Sequence, residues 1–158
     1  MDMTKLRELV VNGYATFDIE LGGRKVKFRT LTTKETIVAT ILKELMVTRR
    51  LMTNELFMSL DSLIKLALGV ISIDGQAIEP EIPQEEFNKL FVSSLGLSPS
   101  SQAEFEKEII AFYEKYLLPR LEVLLAFPAT LLDEIILEIN NKLDELKNLL
   151  RSGEAEKN

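Results

Sequence analysis

The amino-acid sequence predicts an α+β fold that is predominantly helical. Two short segments near the N-terminus alternate between apolar and polar residues, which is typical of strands. Most of the remaining chain repeats its apolar residues every three or four positions, which is typical of amphipathic helices. We therefore expect an N-terminal β-hairpin, a short second β-turn segment and about five to six helices, the last with a heptad pattern.

The hairpin is the element that the sequence specifies best. The alternating segments Tyr14–Leu21 and Arg24–Thr30 flank Gly22-Gly23, and a two-residue glycine loop favours a turn with positive φ at both positions. That turn fixes the register, which pairs Leu21 with Arg24, Glu20 with Lys25, Ile19 with Val26, Asp18 with Lys27, Phe17 with Phe28 and Thr16 with Arg29. The apolar pairs then share one face and the ion pairs share the other, as cross-strand pairing favours.

Helices are expected on both sides of the hairpin. A short one capped by Thr4 should end at Asn12-Gly13. After the hairpin, Thr32 and Glu35 have the spacing of a capping box. This box should begin a helix over about residues 33–48, with these residues facing inward: Ile37, Ile41 and Leu45, and additionally Val38 and Leu42.

The next segment is expected to be a helix followed by a small β-turn unit. The helix should run from about Thr53 to Leu68, with these inward residues: Leu56, Leu60, Leu63, Ile64 and Ala67. Gly69 should end it. The β-branched run Val70–Ile73 then leads into Asp74-Gly75, which predicts a strand, a tight turn and a short return strand.

The second half of the chain is expected to be helical. A helix over residues 84–95 should bury Phe87, Leu90, Phe91 and Leu95 on one face. The small polar residues and Pro at 97–101 indicate a loop, so we expect a part over residues 1–96 and a helical part over 97–158, with one continuous domain as the alternative. A long helix should begin at about Gln102 and be kinked or ended by Pro119.

Composition limits the function. The 158 residues include no Cys and no His, so thiolate sites, most zinc sites and the usual general base near neutral pH are excluded. The net charge of −6 disfavours nucleic acid and anionic membranes as partners. No stretch approaches the apolar length of a membrane span, and residues 1–12 contain no apolar h-region, so we expect neither a membrane span nor a signal peptide. Adjacent carboxylates diverge on a helix, so we expect no catalytic residue, no metal and no cofactor.

The C-terminal helix carries the main candidate for partner binding. Its apolar residues recur in steps of four and three, the pattern of a heptad seam. Two interpretations are open, an internal helix packed on about residues 102–118 and a seam between chains. The stretch Leu117–Leu132 is also rich in apolar residues and must be buried against something. The partner-binding hypothesis names these residues: Leu121, Leu125, Leu132, Ile136, Ile139, Leu143, Leu146 and Leu150.

Two segments of the first half carry a resemblance to a known group. Lys25–Glu35, with its R-T-L-T-T-K-E sequence, resembles the strand-to-helix opening of small tail and baseplate assembly proteins of tailed bacteriophages. Leu66–Gly75 is similar to the helix of those proteins that leads into an S-I-D-G turn. The resemblance is to baseplate-hub and tail assembly chaperones.

The resemblance implies a non-enzymatic protein that acts in virion morphogenesis. Its partner would be a tape-measure, hub or other baseplate component. It would act in the host cytoplasm during assembly, and whether it stays in the virion tail is open. The alternative is a general structural or adaptor subunit that forms a homo-oligomer through its C-terminal heptad helix.

Overall fold

The structure, a computed structural model, describes residues 3–49 and 60–157. Within them the fold is α+β and mostly helical, as predicted. The elements are α1 (Thr4–Asn12), β1 (Thr16–Leu21), β2 (Arg24–Arg29), α2 (Thr33–Thr48), α3 (Leu60–Gly69), β3 (Val70–Ile73), β4 (Gln76–Ala77), α4 (Gln84–Ser94), α5 (Pro99–Phe112), a π-helical turn (Tyr113–Leu117), α6 (Leu118–Leu125) and α7 (Ala129–Lys157). None of the helices so described has both the length and the apolar character needed to cross a membrane.

The described residues form two compact units, and neither is a continuous segment. Unit 1 consists of Met1–Thr30, Gly69–Ala77 and Phe127–Asn158, and unit 2 of Leu31–Leu68 and Ile78–Ala126. The division differs from the predicted boundary at residues 96 and 97, because both sides of that boundary belong to unit 2. A polar loop marks a break in local structure, whereas units are defined by contacts between distant segments.

The hairpin in unit 1 has the predicted register. All six pairs from Thr16 with Arg29 to Leu21 with Arg24 are present. The rings of Phe17 and Phe28 stack with centroids 5.5 Å apart, and Lys25 lies 3.3 Å from the Glu20 carboxylate on the opposite face. The turn residues Gly22 and Gly23 have φ values of 59° and 76°, as a primed turn requires.

The second β-turn segment joins the same sheet. The strands lie in the order β1-β2-β3-β4, and each neighbouring pair is antiparallel. Asp74 and Gly75 form the turn between β3 and β4, with φ values of 53° and 82°. The Asp74 carboxylate accepts a hydrogen bond from the Lys25 backbone N–H at 2.8 Å and one from Nε of Arg24 at 2.6 Å. These bonds join the two turns of the sheet.

The helices of unit 1 pack on the hairpin. α7 contacts both β1 and α1, and Arg24 stacks over the ring of Phe127 at 4.7 Å, just before α7 begins. α1 begins at Thr4, with Met3 as its N-cap. Thr4, which was predicted to be the cap, is therefore the first residue of the helix. The chain leaves α1 through Gly13, whose φ of 80° is left-handed, as a C-terminal glycine favours.

In unit 2, α2 begins as predicted. Of the residues predicted to face inward, Val38 and Leu42 are buried and Ile41 and Leu45 are half-buried. The side chain of Thr32 accepts from the Glu35 N–H and Glu35 returns a bond to the Thr32 N–H, which completes the capping box. The buried apolar residues are Val38, Ala39, Leu42 and Met46. Ile37, predicted to be inward, is 37% exposed. The helix is apolar on two adjacent faces, so its periodicity could not determine which of them is buried.

The remaining elements of unit 2 follow the sequence with shifted ends. α3 ends at Gly69, and Leu60, Leu63, Ile64 and Ala67 are buried; the predicted helix start at Thr53 and the predicted inward Leu56 lie outside the described residues. α5 begins at Pro99, three residues before the predicted Gln102, because Ser98 is its cap and Pro is favoured in the first turn. The π-helical turn directly precedes the turn that contains Pro119.

Candidate protein-binding surface

The described residues offer little for acid–base or metal chemistry. No group of three or more acidic side chains converges there as a metal site would require. The hydrogen bond from the Lys25 backbone, together with Arg24, lowers the pKa of Asp74. Burial, with the neighbouring carboxylates of Glu114 and Glu122, raises the pKa of the Tyr113 phenol. Both shifts move the group away from the neutral range in which a general acid or base works.

A groove lies in unit 2 where α4 ends and α5 begins. We call it the α4–α5 groove, and its volume is about 310 Å³. This is at the low end of the volumes of small-molecule sites, which span about 300–1,000 Å³. Its lining residues are Val92, Ser93, Gly96, Ser101, Glu104, Phe105 and Glu108.

The connection between α4 and α5 is held tightly by local bonds. Ser98 caps α5 by accepting from the Ser101 N–H at 3.1 Å, and the two hydroxyl oxygens are 2.6 Å apart. A Cβ on Gly96 would lie 2.7 Å from the Cβ of Ser101, so only glycine allows this close approach. The Ser94 hydroxyl donates to the Phe91 carbonyl at 2.6 Å in the last turn of α4. The groove is therefore formed by fixed backbone.

Toward the start of α4 and the end of α5, the two helices are joined by aromatic packing. The rings of Phe87 and Phe112 are 5.5 Å apart and tilted by 60°, and Phe112 contacts Tyr116 in the same way at 5.2 Å. Such tilted pairs add about 0.5–1.5 kcal/mol beyond the burial of their area. Both phenylalanines are almost fully buried. This core fixes the two helices that carry the groove.

Large apolar side chains are exposed at the end of α4 and in the turn after it. Val92 is 65% exposed, Leu95 is 61% exposed and Leu97 is 89% exposed. Leu95 was predicted to face inward, and it does not because α4 ends at Ser94 and Leu95 is the C-cap. Single exposed apolar residues are common, but a group beside a groove is typical of an interaction surface.

The structure places the predicted partner-binding residues mostly inside the fold. Leu121 is buried in unit 2, whereas Leu125 is 42% exposed. In α7 the seam residues Leu132, Ile136, Ile139 and Leu146 are buried, Leu143 is half-buried and Leu150 is 38% exposed. The helix expected as a packing partner for the seam, at about residues 102–118, is part of unit 2, and the contacts of α7 in unit 1 are with β1 and α1.

A second set of exposed apolar residues lies on unit 1. Val10 and Val11 of α1 are 78% and 79% exposed, and Leu137 of α7 is 61% exposed. None of these residues lines the α4–α5 groove. Variants at these positions are suitable controls, because the side chains are also apolar and exposed but lie outside the groove.

Sequence reasoning missed the α4–α5 groove. One signal was present, since Leu95 and Leu97 flank Gly96 in a segment that is otherwise polar. Periodicity assigned Leu95 to the buried face, because the helix was expected to continue one residue beyond its actual end. Glu108 had no distinguishing sequence feature. Whether its Oε2 atom has a hydrogen-bond partner depends on the residues that surround it in the fold.

Comparisons of the chain with protein-family models, with curated proteins and with solved structures give no match.

Proposed function

We propose that this protein binds other proteins during assembly of the tail or baseplate of a tailed bacteriophage, as an assembly chaperone or as a structural component. The binding part of the proposal rests on the exposed residues Val92, Leu95 and Leu97 beside the α4–α5 groove. The assembly part rests on the resemblance of Lys25–Glu35 and Leu66–Gly75 to such proteins. The partner would be a tape-measure, hub or other baseplate component, met in the host cytoplasm during assembly.

The energetics of the surface favour a partner with several contacts. Burying each of the three exposed side chains contributes on the order of 1–3 kcal/mol. Association itself costs an estimated 4–15 kcal/mol in lost freedom of motion. The three side chains therefore give weak binding by themselves, and a stable complex also needs contacts in the groove. A helix or an extended segment of the partner would cover the three side chains and also fill the groove.

The alternative proposal is a structural or adaptor subunit that self-associates through its C-terminal helix. Most heptad residues of α7 are buried in unit 1, so a seam between chains would require α7 to leave those contacts. Leu137 and Leu150 are exposed on the same helix and could contribute without such a change. The α4–α5 surface is the better candidate because its exposed apolar residues lie beside a groove.

Light scattering after co-expression tests the proposal. The protein is purified alone and after co-expression with tape-measure, hub and baseplate proteins of the same phage, and the mass of each species is measured. We expect a monomer alone and a heavier complex with one of those proteins. Leu97→Asp and Val92→Asp should each remove the complex, whereas Leu137→Asp, on α7, should retain it.

The other outcomes separate the alternatives. A complex that survives both groove-side variants would show that binding uses another surface. A homo-oligomer in the absence of a partner, dissociated by Leu137→Asp, would support the self-associating subunit. A monomer that gains no mass with any of the phage proteins would contradict the assembly role.

A further inference from the structure

One carboxylate oxygen of Glu108 is buried without a hydrogen bond to any described residue, which folding by itself does not explain. Glu108 lies on α5 and lines the α4–α5 groove. Its Oε2 atom is shielded from solvent and accepts no hydrogen bond from any described residue. An acceptor without a partner costs the free energy of its lost hydration, and more when the group is charged. Buried polar atoms are nearly always paired, so each exception calls for an explanation.

Two cationic side chains on nearby elements are engaged elsewhere, and the exposed Lys89 and Lys107, on α4 and α5, are not among the described residues that line the groove. Arg49, which follows α2, pairs with Glu106 on α5. Lys34 lies over the ring of Phe91 at 5.5 Å. Among the described residues, the lining of the groove includes two carboxylates, Glu104 and Glu108, and no Lys or Arg. The described lining is therefore acidic. Val92 is an exposed apolar residue of that lining, and the exposed Leu95 and Leu97 flank its Gly96 in the sequence.

We propose that the α4–α5 groove receives a lysine or arginine side chain from an amphipathic segment of the partner protein, and that the Glu108 carboxylate accepts its hydrogen bond. The inference rests on the proposed protein-binding function and adds the chemistry of the partner. A positively charged donor provides a hydrogen bond to Oε2 of Glu108. The partner's apolar residues next to that donor cover Val92, Leu95 and Leu97. Nucleic acid does not fit, because its phosphates would meet two carboxylates.

The binding step requires little rearrangement. Glu108 as a whole is only half-buried, and no hydrogen bond within the described residues holds its Oε2 in place. Rotation of the side chain toward the incoming donor therefore breaks no bond of that atom. Charge-assisted hydrogen bonds are roughly twice as strong as neutral ones. The bound partner also excludes water from the groove, which strengthens the pair further.

A displayed library of randomised short peptides gives a test that does not depend on knowing the partner. Peptides are selected on the intact wild-type protein, and those that lose binding to Leu97→Asp are defined as groove binders. We expect the groove binders to share a lysine or arginine flanked by apolar residues. Their affinity for Glu108→Gln should be about tenfold weaker than for wild type, which corresponds to about 1.4 kcal/mol.

Matched variants separate a specific contact from general charge. Glu145→Gln on α7 makes the same change in net charge far along the sequence, and it should leave the affinity of the groove binders unchanged. Glu104→Gln should weaken binding less than Glu108→Gln, because Glu104 is exposed and its pairing is screened by solvent. Replacing the basic residue of a selected peptide with Gln should remove the difference between wild type and Glu108→Gln.

The outcomes distinguish this inference from the function it rests on. Groove binders without a shared basic residue, or with equal affinity for Glu108→Gln, would overturn the role of Glu108 and leave the protein-binding surface intact. A selection that yields no peptide sensitive to Leu97→Asp would count against both the groove and the basic partner.

Discussion

Nε of Arg120 donates a hydrogen bond of 2.6 Å to the carbonyl oxygen of Ala67, which lies 53 positions earlier in the chain. The same guanidinium reaches the carbonyls of Pro80 at 2.9 Å and Ile78 at 3.4 Å. Arg120 is only 4% exposed. One side chain on α6 thus satisfies backbone acceptors at the end of α3 and in the segment before α4, and it holds three separate parts of unit 2 together.

Replacing Arg120 should destabilise the protein strongly. Arg120→Met retains much of the apolar volume but removes the donors, so the carbonyls of Ala67 and Pro80 lose a buried partner. We expect a loss of about 2–4 kcal/mol in the free energy of unfolding. Urea unfolding followed by circular dichroism measures it. The exposed Arg7 provides a matched control, since Arg7→Met should change stability by no more than about 0.5 kcal/mol.

The Asp74 contact should make stability depend on pH. The Lys25 N–H and Arg24 lower the pKa of Asp74 in the folded state, so the ionised carboxylate favours folding. That contribution is complete above the unfolded-state pKa of about 3.9 and is lost as the pH falls through the lower folded-state value. Asp74→Asn should therefore lower the unfolding midpoint at neutral pH, and the difference from wild type should shrink in acid.

Asn is the suitable replacement because Asp74 has a φ of 53°, and Asn tolerates the left-handed region almost as well. Asp144→Asn on α7 makes the same charge change away from this turn and serves as the control. Thermal unfolding at a series of pH values measures both. A difference between wild type and Asp74→Asn that stays constant down to strongly acidic pH would contradict the assigned contact.

The two turn glycines should respond differently to alanine. Both have positive φ, which costs roughly 1–2 kcal/mol for a residue with a Cβ. A Cβ on Gly22 would also lie 3.0 Å from Cδ1 of Leu131, whereas a Cβ on Gly23 would meet nothing within 4 Å. Gly22→Ala should therefore destabilise more than Gly23→Ala in chemical denaturation. In a Leu131→Ala background the two alanine variants should lose the same amount of stability. A difference that persists there would rule out the Leu131 contact as its cause.

The C-terminal helix can be tested with a pair of aspartate variants. Ile139 is 7% exposed and Leu137, two residues earlier, is 61% exposed. Ile139→Asp buries an unpaired charge and should destabilise the protein by about 3 kcal/mol or more, whereas Leu137→Asp should change stability by at most about 0.5 kcal/mol. Unfolding curves measure both. A folded, stable Ile139→Asp monomer would instead identify the heptad residues as a surface between chains.

The hairpin register, the capping box of Thr32 and Glu35, and the turn at Asp74-Gly75 could all be predicted from the sequence. Each depends on residues within a few positions of one another, where strand alternation, turn glycines and caps leave few alternatives. The mostly helical α+β class follows from the same local patterns. The absence of Cys and His is likewise a property of the sequence alone.

Only the tertiary structure decided which faces are buried and which atoms lack partners. α2 is apolar on two faces, and of the residues predicted to face inward its neighbours bury Val38 and Leu42 and leave Ile37 exposed. The heptad pattern of α7 was compatible with either an internal or an external seam, and packing on β1 and α1 is what covers it in unit 1. The unpartnered oxygen of Glu108 and the carbonyls joined by Arg120 are likewise long-range features. Periodicity specifies that a surface is apolar, whereas its partner is fixed by contacts between residues far apart in the chain.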